Sequence, residues 1–81
     1  IDMLIKLTEG TDNEVLYVNH SAVSSLLPAE SYMKEKYGAN TRVYITGEER
    51  PFHVKETIEE VASSIRDADW EGRQITVYQA N

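Results

Sequence analysis

His20 and His53 are the only histidines in the chain, so acid–base or nucleophilic chemistry would have to start from them. His20 stands beside Ser21 and near Ser24, Ser25 and Glu30, the residue types of a nucleophile, its base and an orienting acid. Nothing in their spacing marks a nucleophile, and no Gly-x-Ser-x-Gly occurs. The simpler expectation is that His20 helps to cap a turn and His53 occupies an exposed strand face.

Carboxylates gather at four places without forming a recognisable ligand set. Asp12, Asn13 and Glu14 lie in a tight turn but lack the alternating oxygens of a calcium loop. Asp67, Asp69 and Glu71 alternate, yet the loop length and later glutamate of an EF-hand are missing. Glu48-Glu49 and Glu59-Glu60 are adjacent pairs, and neighbours on a helix do not face each other. With no cysteine and no glycine-rich phosphate loop, the sequence predicts no catalytic residue, no metal ligand and no cofactor-binding residue. The expectation is a protein that is not an enzyme and carries no cofactor.

The aromatic residues say more. Tyr17, Tyr44 and Tyr78 each fall in the middle of an expected strand, and Trp70 follows the best helix. They are either sheet packing or contact residues, since tyrosine and tryptophan are enriched at interfaces. Glu56, Glu59 and Glu60 belong to a stretch from Glu48 to Glu71 with eight acidic and three basic residues. Such a face attracts a basic partner or keeps the domain in solution. The candidate protein-interaction residues are therefore Tyr17, Tyr44, Tyr78, Glu56, Glu59, Glu60 and Trp70.

These residues have to be positioned by a small framework. The 81 residues make one domain spanning 1–81, with Ile1 and Asp2 reading as a remnant before a natural start at Met3. A chain this short gains burial by pairing with a copy of itself or with another protein. The net charge of −6 disfavours nucleic acid as a partner. No apolar run is long enough for membrane insertion, no signal peptide is visible, and the absence of cysteine fits a cytoplasmic location.

Residues 3–8 alternate as a half-buried strand, residues 9–13 hold turn formers, and residues 15–19 form a second strand, together a hairpin. Asn19-His20-Ser21 leads into a short helical turn through Ala22, Val23 and Leu26, stopped by Pro28. Residues 29–37 read as a second short helix leaving at Gly38. Residues 41–46 and 52–54 are strands joined by a polar turn, with Phe52 and Val54 facing the core. Thr57-Ile58-Glu59-Glu60 has the form of a capping box, and Ile58, Val61, Ala62 and Ile65 make one apolar stripe behind it, predicting a helix over residues 57–66. Residues 74–79 alternate as a closing strand. The expected fold is α+β: a small twisted antiparallel sheet of about five strands, one main helix on one face, and a short helical excursion between the second and third strands.

Ile5-Lys6-Leu7-Thr8, Val18-Asn19, Val43-Tyr44-Ile45-Thr46-Gly47 and the stretch Val54-Lys55-Glu56-Thr57-Ile58-Glu59-Glu60-Val61 together resemble the small flagellar FlbD/SwrD proteins over residues 3 to about 65. The resemblance implies a strand–strand–turn–strand–strand–helix order. That family offers no catalytic motif, so no site residue comes with it. This chain departs from the pattern in a longer connection over residues 27–40 and in the expected closing strand. The functional expectation is a small acidic protein-interaction or assembly module, bacterial or from a phage, able to self-associate into a homo-oligomer. The alternatives are a phage or mobile-element regulator that occupies a basic surface of another protein, and a nucleic-acid binder using a sheet face with Arg42, Tyr44 and Arg73.

Overall fold

A computed structural model describes residues 3–80, with side chains as far as Trp70. The elements run β1 (Leu4–Thr8), β2 (Val15–Asn19), a 3-10 turn (His20–Ala22), β3 (Val23–Pro28), α1 (Ser31–Tyr37), β4 (Thr41–Ile45), β5 (Phe52–Val54) and α2 (Ile58–Ala80). The expected α+β class and five antiparallel strands are present, but they are divided between two sheets, β1-β2 and β3-β4-β5.

The hairpin forms where the alternation placed it, with Leu4 opposite Asn19, Lys6 opposite Tyr17 and Thr8 opposite Val15. Asn13 closes its turn in the left-handed region, which asparagine tolerates better than most residues. At the end of β1 the two sheets meet. Glu9 bridges to Val54, Gly10 N–H donates to the His53 carbonyl at 2.8 Å, and Lys55 N–H donates to the Thr8 carbonyl at 2.9 Å. Gly10 is required there: a Cβ would lie 3.0 Å from Ala39 Cβ and 3.3 Å from the His53 carbonyl oxygen.

Two expected elements are corrected. The helical turn expected through Leu26 stops at Ala22, and residues 23–28 continue as β3, paired with β4 from Val23–Ile45 to Pro28–Thr41. Asn19 caps the 3-10 turn, its Oδ1 accepting from Ser21 N–H at 3.0 Å. Val23 and Leu26 pack half-buried against the core, and the register shifts once between Val23 and Ser25. The second correction is at the C-terminal end. The helix expected to finish near Arg66 runs to Ala80, so the closing strand over residues 74–79 does not form. The apolar stripe carries it past Arg66, because buried Ala68 continues the spacing of Val61 and Ile65.

The capping box forms as read. Thr57 N–H donates to Glu60 Oε1 at 3.0 Å, and Glu60 N–H donates to Thr57 Oγ1 at 3.1 Å. Helix α1 leaves through Gly38 in the left-handed conformation, its N–H donating to the Lys34 carbonyl. The core is Ile5 and Leu7 of β1, Val43, Val54, and Val61 and Ala68 of α2, surrounded by Leu16, Val18, Ile45, Phe52 and Ile65. Two polar side chains inside are satisfied by nearby carbonyls: buried Thr41 donates from Oγ1 to the Glu56 carbonyl at 2.7 Å, and Asn40 Nδ2 donates to the Lys55 carbonyl at 2.7 Å.

Candidate functional site

The β1-β2 hairpin carries apolar side chains on both faces, mixed on the outer one with Lys6, Thr8 and Asn19. Ile5 and Leu7 point into the core with Leu16 and Val18 beside them. The opposite face presents Leu4, Val15 and Tyr17, which are 60%, 47% and 64% exposed. Tyr17 sits across from Lys6, and Leu4 is its diagonal neighbour. A sheet face turned to water ordinarily carries polar residues, so three exposed apolar side chains on one strand pair depart from the usual alternation.

The backbone of β1 adds a second feature. Glu9 N–H donates to the Glu14 carbonyl, and His20 N–H donates to the Met3 carbonyl. Odd-numbered residues of β1 therefore bond to β2. In an antiparallel ladder the intervening residues point their N–H and C=O groups the other way. Thr8 shows that direction, since its amide meets Glu56 and its carbonyl meets Lys55. Leu4 and Lys6 share it and have no hydrogen-bond partner there among the described residues. Beside this open edge α2 lines a groove with Ser64, Asp67 and Ala68.

Of the expected contact residues, Tyr17 lies on the exposed hairpin face. Tyr44 is half-buried in β4, on the same sheet face as Arg42. Trp70 is 60% exposed on α2, next to Arg66, Asp67 and Asp69, rather than beyond the end of the helix. Glu59 and Glu60 are exposed, with Glu60 engaged in its cap. Glu56 turns inward: its Oε1 accepts from Thr8 N–H at 2.8 Å and its Oε2 from Thr8 Oγ1 at 2.9 Å. Tyr78 lies in α2, and its side chain is outside those described, as is that of Arg73. Leu4 and Val15 were missed. The signal was present, because both belong to the hairpin alternation on the side opposite the core.

The histidines and serines do not converge. His20 Nδ1 lies within hydrogen-bond distance of the Met3 carbonyl, at 3.1 Å. His20 Nε2 lies 3.7 Å from Asp69, joining the 3-10 turn to α2. The Ser21 hydroxyl donates to Asn19 at 2.8 Å, and that of Ser24 donates to the Tyr44 carbonyl at 3.1 Å. His53 is half-buried rather than exposed, with its Nε2 shielded and lacking a hydrogen-bond partner among the described residues.

Glu9, Asp12 and Glu14 bring carboxylate oxygens within 4.8 Å of one another at the hairpin turn. They also close that turn, Asp12 Oδ1 accepting from Glu14 N–H and Glu9 from Thr11 Oγ1. Arg42 is held against its own sheet: Nε donates to the Pro28 carbonyl at 2.8 Å, and a terminal nitrogen reaches Glu30 at 3.5 Å. Glu30 also holds the Tyr32 phenol above its usual pKa, mainly through its negative charge. Among the described residues no helix is long and apolar enough to cross a membrane. No family model, curated protein or solved structure matches the chain.

Proposed function

We propose that this chain is a small, non-enzymatic protein-interaction module whose principal contact surface is the outer face of the β1-β2 hairpin. The observation that carries this reading is the exposure of Leu4, Val15 and Tyr17 on one side of a paired strand hairpin. Rigid aromatic anchors beside aliphatic ones are the usual composition of an interface centre. The domain is two small antiparallel sheets packed with one long helix, and association supplies burial that its size withholds. Resemblance to the FlbD/SwrD proteins is part of this reading for architecture alone.

The test is a photoreactive side chain at position 17 in cells of the source organism. A discrete adduct is expected, absent when the probe replaces Tyr44 and lost on Leu4→Asp in a chain that still folds. Failure to form any adduct at position 17 would remove the reading. Light scattering at increasing concentration tests self-association: a strict monomer limits the module to other partners.

Trp70, exposed among Arg66, Asp67 and Asp69, favours a second contact on the solvent side of α2, where Glu59 would meet a basic protein surface. Direct nucleic-acid binding through the β3-β4-β5 face is less well supported, because Arg42 is committed to Pro28 and Glu30 and the chain carries a net charge of −6.

A further inference from the structure

We infer that the groove between the free edge of β1 and helix α2 receives an extended peptide segment of alternating basic and apolar residues, which adds to the sheet as a strand. This deepens the interaction-module reading and rests on it. Three observations converge on the groove. The first is the backbone: the amides and carbonyls of Leu4 and Lys6 point out of the hairpin, unpartnered among the described residues. Such an edge is a template for another strand unless something blunts it. Thr8 shows how this chain blunts its own edge, with the Glu56 carboxylate on the amide and the Lys55 amide on the carbonyl. That protection ends at Thr8 and leaves Leu4 and Lys6 available.

The second observation is the wall. α2 places Ser64, Asp67 and Ala68 beside the edge, and Met3, Leu4, Ile5 and Lys6 complete the lining. An added strand would be held between the hairpin and the helix, its alternate side chains directed to opposite faces. One set would meet Leu4 and the stem of Lys6 on the outer face, with Tyr17 and Val15 across from them on β2. The other set would meet the α2 rim.

The third observation fixes the chemistry of that second set. Asp67 is exposed on the rim, and Glu60 lies two turns earlier on the same side of the helix. A lysine or arginine directed at this rim finds an opposite charge. A second copy of the chain, at net charge −6, brings a like-charged rim against this one. The occupant is therefore a basic, extended segment of another protein rather than a duplicate β1.

The experiment titrates 15N-labelled protein with a short acetylated and amidated peptide alternating Lys and Val. The amides of Leu4 and Lys6 should shift and become slow to exchange, with Ser64 and Asp67 responding on the facing wall. The same peptide N-methylated at alternate residues should bind about tenfold more weakly, the scale of a lost hydrogen bond or two. Asp67→Asn should weaken binding and flatten its salt dependence. Lys6→Pro removes the outward donor and should abolish the response; if it fails to fold, the N-methylated peptide asks the same question of the wild-type chain.

Equal binding of the N-methylated peptide overturns the proposal, as does a response confined to Val15 and Tyr17 on the other edge of the hairpin. Concentration-dependent protection of Leu4 and Lys6 in the free protein also overturns it, by placing a second copy in the groove. No binding at millimolar peptide does the same. If position 17 still cross-links in cells in any of these cases, strand addition falls and the interaction-module reading stands.

Discussion

The carboxylate of Glu56 grips Thr8 with both oxygens, one on the backbone amide at 2.8 Å and one on the hydroxyl at 2.9 Å. This pair joins the segment before α2 to the last residue of β1, and the Thr8 carbonyl returns the contact through Lys55 N–H. Charge-assisted bonds of this kind are stronger than neutral ones, and an amide left unpaired incurs a desolvation penalty. Glu56→Ala is expected to destabilise the fold by about 2 kcal/mol. Chemical denaturation checks this as a lower midpoint at unchanged slope. Thr8→Val should lose only the hydroxyl contact, and the two substitutions together should fall short of their sum.

The helix cap gives a separate expectation. Thr57 and Glu60 satisfy each other's backbone amides. Thr57→Ala should lower stability by about 1 kcal/mol, while Thr57→Ser should be nearly silent. Thermal unfolding of the three proteins checks it. The cap also means that reversing the charge at Glu60 mixes lost partner binding with a lost cap, so the acidic side of α2 is better probed at Glu59 and Asp67.

At Gly10 the constraint is space. A Cβ there would stand 3.0 Å from that of buried Ala39, inside ordinary contact. Gly10→Ala should cost about 1–3 kcal/mol through overpacking. Adding Ala39→Gly should recover part of the loss, and full additivity of the two changes would show that the clash is elsewhere.

Tyr17→Ser should separate stability from function. The side chain is mostly in water, so the folded state should change by less than about 0.5 kcal/mol. Cross-linking from a probe at Leu4 should nevertheless fall sharply. A large stability change instead would show Tyr17 to be a structural residue.

Tyr32 supplies a pH-dependent expectation. The charge of Glu30 disfavours the phenolate and raises the Tyr32 pKa. A folded pKa above the unfolded one means that the contribution is fully present below the ordinary tyrosine range and lost as pH rises through the raised value. Glu30→Gln should return the Tyr32 ring signals in an alkaline NMR titration toward the ordinary midpoint, and an unmoved midpoint would remove Glu30 as the cause.

Legibility from sequence followed the range of each interaction. The hairpin, the Gly38 exit and the Thr57–Glu60 cap are set by neighbours a few residues apart, and each stands where the residues placed it. β3 was hidden because its strand character comes from pairing with β4 across α1, which the serines at 24 and 25 do not announce. Glu56 reads from sequence as a partner-facing charge, because Thr8, the residue it holds, is 48 residues away. The end of the helix was misplaced because Asp69, Glu71 and Gly72 look like an exit, whereas Ala68 prolongs the stripe. Tyr17 was legible as a strand aromatic; Leu4 and Val15 acquire meaning only once the hairpin has an inside and an outside.

The seam between Thr8 and Glu56 also bears on how the molecule assembles in time. The β1-β2 hairpin closes locally, and so does the succession β3-β4-β5, whereas the seam must close a separation of 48 residues. Loop closure on that scale is entropically slower to be rewarded than hairpin zipping. The two sheets are thus expected to form first and dock afterwards. Weakening the seam by Glu56→Ala should then hasten unfolding and leave the refolding rate nearly untouched, and a chevron with its loss on the refolding limb would reverse that order.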